Sequence, residues 1–203
     1  MNLRELILLA GFVLLSGCGT PPVPLPALNA SYERALERTA PLARTLAPGS
    51  EEERLAFSNI QRYFAGMTKA SVREQTASVY APDCYLNDTL VGIDGAKAVE
   101  AYFGHTIERA TLLKVEFLER APVGTDWYVR WRMTVGADGL NGGQPVLTYG
   151  VTQFRFDTVG RVLIHKDFWD SGTGLYEQIP VLRRVIGRVR AAVEAGARGP
   201  PVE

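Results

Sequence analysis

Cysteine, histidine and net charge are all scarce in this chain. Of its 203 residues two are Cys and two are His, and 22 Lys and Arg balance 22 Asp and Glu. Two thiols, Cys18 and Cys84, build no disulfide framework. Two imidazoles, His105 and His165, with no Cys pair beside them, give no basis for a structural zinc site. A formal net charge of zero removes the electrostatic support a nucleic-acid partner needs. The apolar run at the N-terminus, Leu6 to Leu15, is shorter than the roughly 20 residues of a membrane-spanning helix. No internal repeat is visible, and no cofactor is expected.

What is present starts with an address. Arg4 precedes the apolar run, and small residues follow it, the pattern of a secretory signal. Leu15-Ser16-Gly17-Cys18 resembles a bacterial lipoprotein box. That resemblance implies cleavage before Cys18, diacylglycerol on its thiol and attachment to a membrane through that residue. Gly19, in place of an Asp, implies the outer membrane, on its periplasmic side. If Cys18 carries lipid, Cys84 has no partner and reads as a small buried apolar residue. The remaining chain, 46% hydrophobic and 22% charged overall, suits one globular domain and a tail.

Pro21, Pro22, Pro24 and Pro26 favour an extended spacer after Cys18. A short helix is expected within Ser31 to Leu46, interrupted near Pro41. The organisation is therefore a signal over 1–17, a proline-rich tether with a short helix over 18–50, a folded domain over 51–179 and a basic tail over 180–203. Ser50 and Glu53 form a capping box that opens the first domain helix. Ile60, Tyr63, Phe64 and Met67 recur on one face of it. A second helix spans Ser71 to Val79, and a third, opened by Gly95, runs from Ala96 to Ile107. Strands follow over Leu112–Arg120, Asp126–Val135, Val146–Asp157 and Arg161–Asp170, all rich in β-branched and aromatic residues. Gly136 to Gly143 is a loop, and Asp157 to Gly160 a tight hairpin. Helices followed by a meander indicate an α+β fold. From Pro180 to about Ala195 a basic amphipathic helix carries a stripe of Val181, Leu182, Val185, Ile186, Val189 and Val193. It is expected to pack on the domain with its arginines solvated, contact with a bilayer being the alternative.

The stretch Tyr80-Ala81-Pro82-Asp83-Cys84-Tyr85-Leu86-Asn87-Asp88, with Gly92, Gly95, Ala98, Val99 and Phe103 after it, resembles the nuclear transport factor 2-like superfamily. That group includes ketosteroid isomerases, SnoaL-like polyketide cyclases and non-catalytic binding modules. The resemblance covers about Glu51 to Asp170. It implies a curved antiparallel sheet wrapped on helices into a cone with an apolar pocket, and pairing into a homodimer. Asp88 matches the place of the isomerase base, eight residues after Tyr80. Tyr63, after Gln61-Arg62, matches the oxyanion tyrosine. Thr152 stands where the isomerases place a second acid, before Phe154-Arg155-Phe156, which puts steroid isomerisation in doubt.

Two chemistries remain open for these residues. Asp88 in an apolar cavity is a candidate general base and Tyr63 a candidate donor to a developing oxyanion. The resemblance to ketosteroid isomerases implies this division of roles. The plain alternatives are a turn-capping carboxylate and a core aromatic. His165, Asp167 and Trp169 alternate, so they share one sheet face and form a second candidate acid–base group, the alternative being a strand end near solvent with His165 paired to a carboxylate for structure. Trp131 and Met133, with Trp169 and Tyr149, are candidate ligand-lining residues, and Glu116 is a further polar one. The expectation is a lipid-anchored envelope protein binding an apolar small molecule, or else an enzyme moving protons on an apolar ring compound.

Overall fold

The computed structural model describes residues 25–197. The expected signal peptide, the expected lipidation site Cys18 and the proline-rich segment up to residue 24 lie outside the described residues.

Helix α1, Leu25–Thr39, comes first, and a 3-10 turn with Pro41 follows over Ala40–Leu42. It begins earlier than the helix expected from Ser31. The reason is Pro26, which sits in the first turn, where an absent N–H costs no helical bond. Leu28, Ala35 and Thr39 of α1 are buried, and Ala35 packs with Tyr85 and Ile164. This segment therefore lies packed against the sheet.

Helix α2, Glu51–Ala65, is capped by Ser50, whose Oγ accepts from the Glu53 N–H at 3.1 Å. Only half of the expected capping box forms. The Glu53 carboxylate turns inward and pairs with Arg120, whose guanidinium lies 4.6 Å from the centre of the Phe57 ring. The reciprocal box appears one helix later: α3, Lys69–Val79, has Thr68 and Ser71 capping each other. Helix α4 spans Ala96–Arg109 after Gly95, which takes φ 85°, a left-handed conformation that suits glycine.

Six strands form one sheet: β1 Tyr80–Asn87, β2 Gly92–Asp94, β3 Ala110–Val123, β4 Asp126–Ala137, β5 Val146–Phe156 and β6 Val162–Trp169. Their spatial order is β2-β1-β6-β5-β4-β3. The last four match the expected strands closely. The first two carry the motif that resembles the superfamily, but no strand was expected there. β1 pairs with β6 in parallel, a departure from a purely antiparallel sheet, while the other neighbours are antiparallel. Irregular register in β3 at Ala110/Leu112 and Phe117/Glu119 bends the sheet. The α+β cone expected from the sequence is the fold observed.

The core lies between the helices and the concave face. Phe57, Ile60, Tyr63 and Phe64 of α2, with Val72 of α3 and Val99 and Phe103 of α4, pack on Trp127, Val129, Phe154 and Phe156. Phe57 meets Trp127 and Phe156 edge-on, each at 5.3 Å between ring centroids, the arrangement favoured by aromatic quadrupoles. On the opposite face α1 is fastened by polar bonds. Arg155 donates to the Leu36 carbonyl at 2.9 Å, and Tyr32 donates to Gln153.

After β6 come a short helix α5, Ser171–Gly174, a 3-10 turn at Tyr176–Gln178 and helix α6, Pro180–Ala197. The expectation that the α6 stripe packs on the domain is not met. Val181, Val185, Val189 and Val193 are 71%, 54%, 59% and 67% exposed. Polar contacts hold the helix near its start and middle: Arg183 donates to the Glu177 carbonyl, and Arg190 pairs with Glu177 at 2.8 Å.

Candidate functional site

The concave face, α4 and the α5 segment enclose a cavity of about 300 Å³. Its walls are mostly apolar: Phe64, Phe103, Val115, Phe117, Met133 and Phe154 are among them. Alternation along β6 sends His165, Asp167 and Trp169 into it, and on β4 sends Trp131 and Met133. Both indoles are held in place. Trp131 Nε1 donates to Thr152 Oγ1 at 2.8 Å, and Trp169 Nε1 donates to the Asp88 carbonyl at 2.7 Å. Two glycines make room for them. A Cβ on Gly150, the cross-strand partner of Trp131, would sit 2.2 Å from its Cζ2; one on Gly174 would sit 2.6 Å from Trp169 Cζ3.

The polar groups form a chain. Burial pushes the Tyr80 phenol well above its ordinary pKa, so it keeps its proton. It lies 2.8 Å from His165 Nδ1. His165 Nε2 lies 3.1 Å from Asp167 Oδ1, a carboxylate oxygen that only accepts, so Nε2 carries a proton. Thr152 Oγ1 accepts from Trp131 and donates to the same Oδ1. Both of these bonds to Asp167, itself a residue of the cavity wall, thus fall on one oxygen. Thr152 and Asp167 face each other across β5 and β6.

Asp88 also lines the cavity, but as a turn cap. Its Oδ1 accepts from the Leu90 and Val91 N–H groups, each at 2.9 Å, and its Oδ2 accepts from Tyr102. Three of about four acceptor sites on the carboxylate are occupied, which suits positioning better than proton abstraction. The turn it closes holds Thr89 at φ 77°. Tyr102 keeps its proton, since burial, and then the Asp88 charge, raise its pKa.

Three expected site residues, Tyr63, Tyr149 and Glu116, are corrected. Tyr63 is not in the cavity wall. It is buried in the core and its hydroxyl lies 2.7 Å from Thr76 Oγ1; because Thr76 donates to the Val72 carbonyl, Tyr63 donates to Thr76. Burial pushes its pKa up to about 12. Tyr149 is 52% exposed on the outer face; it sits opposite Arg132, one position out of step with the inward-facing Met133. Glu116 likewise pairs outward with Arg132 and Lys114. Cys84 is fully buried, and burial drives its thiol up to about 12, so it is an apolar core group. Among the described residues no group of His, Cys, Asp and Glu is suited to hold a metal ion.

Sequence reasoning missed Tyr102 and Tyr80 as polar partners. Both sit in apolar patterns, and only their hydroxyls, meeting residues far along the chain, give them a second role.

Three solved structures illustrate the likeness of the fold. A Catenulispora acidiphila protein with a ketosteroid isomerase-like fold, solved in complex with trimethylamine, superposes with TM-score 0.53 at 12% identity over 66% of this chain and 96% of its own. A nuclear transport factor 2-like protein from Burkholderia pseudomallei gives 0.54 at 16%, over 64% and 99%. An LEH-like epoxide hydrolase of M. tuberculosis gives 0.51 at 14%, over 71% and 99%. At these identities the likeness is one of fold. No curated protein sequence matches the chain. The SnoaL-like domain model matches residues 60–165, from the core of α2 to the cavity histidine. That match spans over half of the sequence, and the chain belongs to the SnoaL-like domain family.

Proposed function

We propose that this protein is an envelope lipoprotein, anchored through Cys18, whose cone binds an apolar small molecule. The observation that carries the reading is the cavity of about 300 Å³ with an apolar wall, within the size range of small-molecule sites. The neutral probe N-phenyl-1-naphthylamine should gain fluorescence on binding with micromolar affinity. Val115→Trp, which fills the wall, should abolish that gain. Absence of binding to the unaltered protein would remove the reading.

The address is tested separately. Cells fed labelled palmitate should incorporate it into the protein, and Cys18→Ser should not be labelled. Label on the Cys18→Ser protein would refute the anchor. Outer-membrane retention facing the periplasm is the expected destination.

A second reading is acid–base chemistry on the bound compound. It is favoured by Asp167 in the cavity wall, where His165 and Thr152 hold its Oδ1. In this reading Asp167, rather than Asp88, takes the proton. Tyr80 and His165 position it, and the loss on Asp167→Asn would be about 10²–10⁴-fold in kcat.

A further inference from the structure

The charge inside the cavity is one-sided. Its wall holds two carboxylates, Asp88 and Asp167, and no Lys or Arg among the described lining residues. His165 is the one imidazole in that wall, with Nε2 3.1 Å from Asp167 Oδ1 and Nδ1 2.8 Å from the Tyr80 hydroxyl. Lys166 is on the other face of β6, where its ammonium donates to Asn87 Oδ1 at 2.6 Å. The Arg side chains of neighbouring strands are spent outside: Arg130 on Glu119, Arg132 on Glu116 and Arg155 on Asp126. The hydrogen-bond donors to Asp88 are the Leu90 and Val91 N–H groups and the Tyr102 hydroxyl, and those to Asp167 are Thr152 and His165. They orient the carboxylates, while the Lys166 ammonium acts on both only from the other face of the strand.

The rest of the wall is aromatic. Trp131 and Trp169 are fixed by their indole bonds. Phe64, Phe103, Phe117 and Phe154 complete the surround. Ring faces attract cations, most strongly where water is excluded. Half-buried carboxylates in an apolar cavity are stabilised by a cation brought in beside them.

We propose that the natural ligand is an apolar amine, an organic cation whose ammonium sits at Asp167 while its hydrocarbon part fills the aromatic wall. This deepens the binding reading above and rests on it. It selects against two other ligand classes. A fatty acid or other apolar carboxylate would place like charge beside Asp88 and Asp167. A neutral hydrocarbon would leave the Asp167 carboxylate facing apolar atoms.

The test uses three probes of matched size with the full-length protein: N,N-dimethylbenzylamine, its carbon isostere isobutylbenzene, and phenylacetate. Binding is read by the fluorescence of Trp131 and Trp169 and by thermal shift. The amine should bind roughly tenfold or more tighter than isobutylbenzene, and phenylacetate weakest of the three. Asp167→Asn should bring the amine down to the level of isobutylbenzene, whose own affinity should not fall. Retained binding of isobutylbenzene also shows that the variant is folded. Equal affinity for amine and isobutylbenzene, or tightest binding of phenylacetate, overturns the amine proposal and leaves apolar binding standing. If none of the three binds, the cavity reading fails and the amine proposal falls with it.

Discussion

Replacing Arg155 with Ala should lower the unfolding free energy by about 3–5 kcal/mol, the usual cost of leaving one member of a buried ion pair alone. Arg155 stands directly opposite Asp126 across β5 and β4. It donates to both carboxylate oxygens, Nε at 2.6 Å and Nη2 at 2.9 Å. Both side chains are nearly buried, at 10% and 12% exposure. The same guanidinium reaches α1, donating to the Leu36 carbonyl at 2.9 Å and to Thr39 Oγ1 at 3.1 Å. Gln153 adds a further bond to Asp126 at 2.6 Å. Arg155→Ala therefore removes the bidentate pair and unties the first helix together. Urea denaturation measures the loss, and limited proteolysis should cut within Leu25–Thr39 before the rest of the fold opens. A loss under about 1 kcal/mol would mean that the pair is as weak as a surface bridge. The double change Arg155→Met with Asp126→Leu should recover much of the stability, because no uncompensated charge stays buried.

Phe154→Ala should cost a similar amount, about 3–5 kcal/mol, through lost burial and the void left behind. Phe154 is fully buried and joins the two halves of the interior. On one side it packs against Phe57 at 6.3 Å and Phe156 at 6.1 Å; on the other it lies 4.9 Å from His165. Its ring is both core and cavity wall. Phe154→Leu should cost clearly less, since more of the volume is kept. Thermal unfolding with calorimetry reads both. If Ala and Leu cost the same, the loss is of aromatic contact and not of volume. A near-neutral Ala variant would show that the core collapses freely into the cavity.

Much of the scaffold is written in local patterns. The strand starts at Asp126 and Val146, the hairpin at Asp157 to Gly160 and the start of α4 after Gly95 are all legible, because each depends on residues adjacent in the chain. Asp157 closes its hairpin through N–H groups of Val159 and Arg161 only a few positions on. By contrast, β1 is hidden. Tyr80–Asn87 contains Pro82, and its pairing with β6 is parallel and irregular between Tyr80 and Tyr85, so no regular alternation advertises it. The first helix is underestimated because prolines read as a spacer, although Pro26 at the first turn is compatible with a helix.

The candidate site divides in the same way. Alternation along β6 places His165, Asp167 and Trp169 on one face, and β4 likewise offers Trp131 and Met133. Those choices need only the two-residue period of a strand. That period does not tell which face is concave, which is why Tyr149 and Glu116 prove to lie outside. Nor does helical spacing separate a core tyrosine from a cavity one: Tyr63 and Tyr102 lie on similar stripes, and the structure gives the cavity to Tyr102.

The sequence alone determined the α+β order of elements, the residues able to be buried and the set of acidic and aromatic groups available. Tertiary structure decided which of those groups meet. Tyr80 finds His165, Asp88 finds Tyr102 and Thr152 finds Asp167 across distances in the chain that no local rule spans. The physical reason is that hydrogen-bond direction and charge balance are properties of a closed space, fixed only when the bent sheet and its helices enclose it.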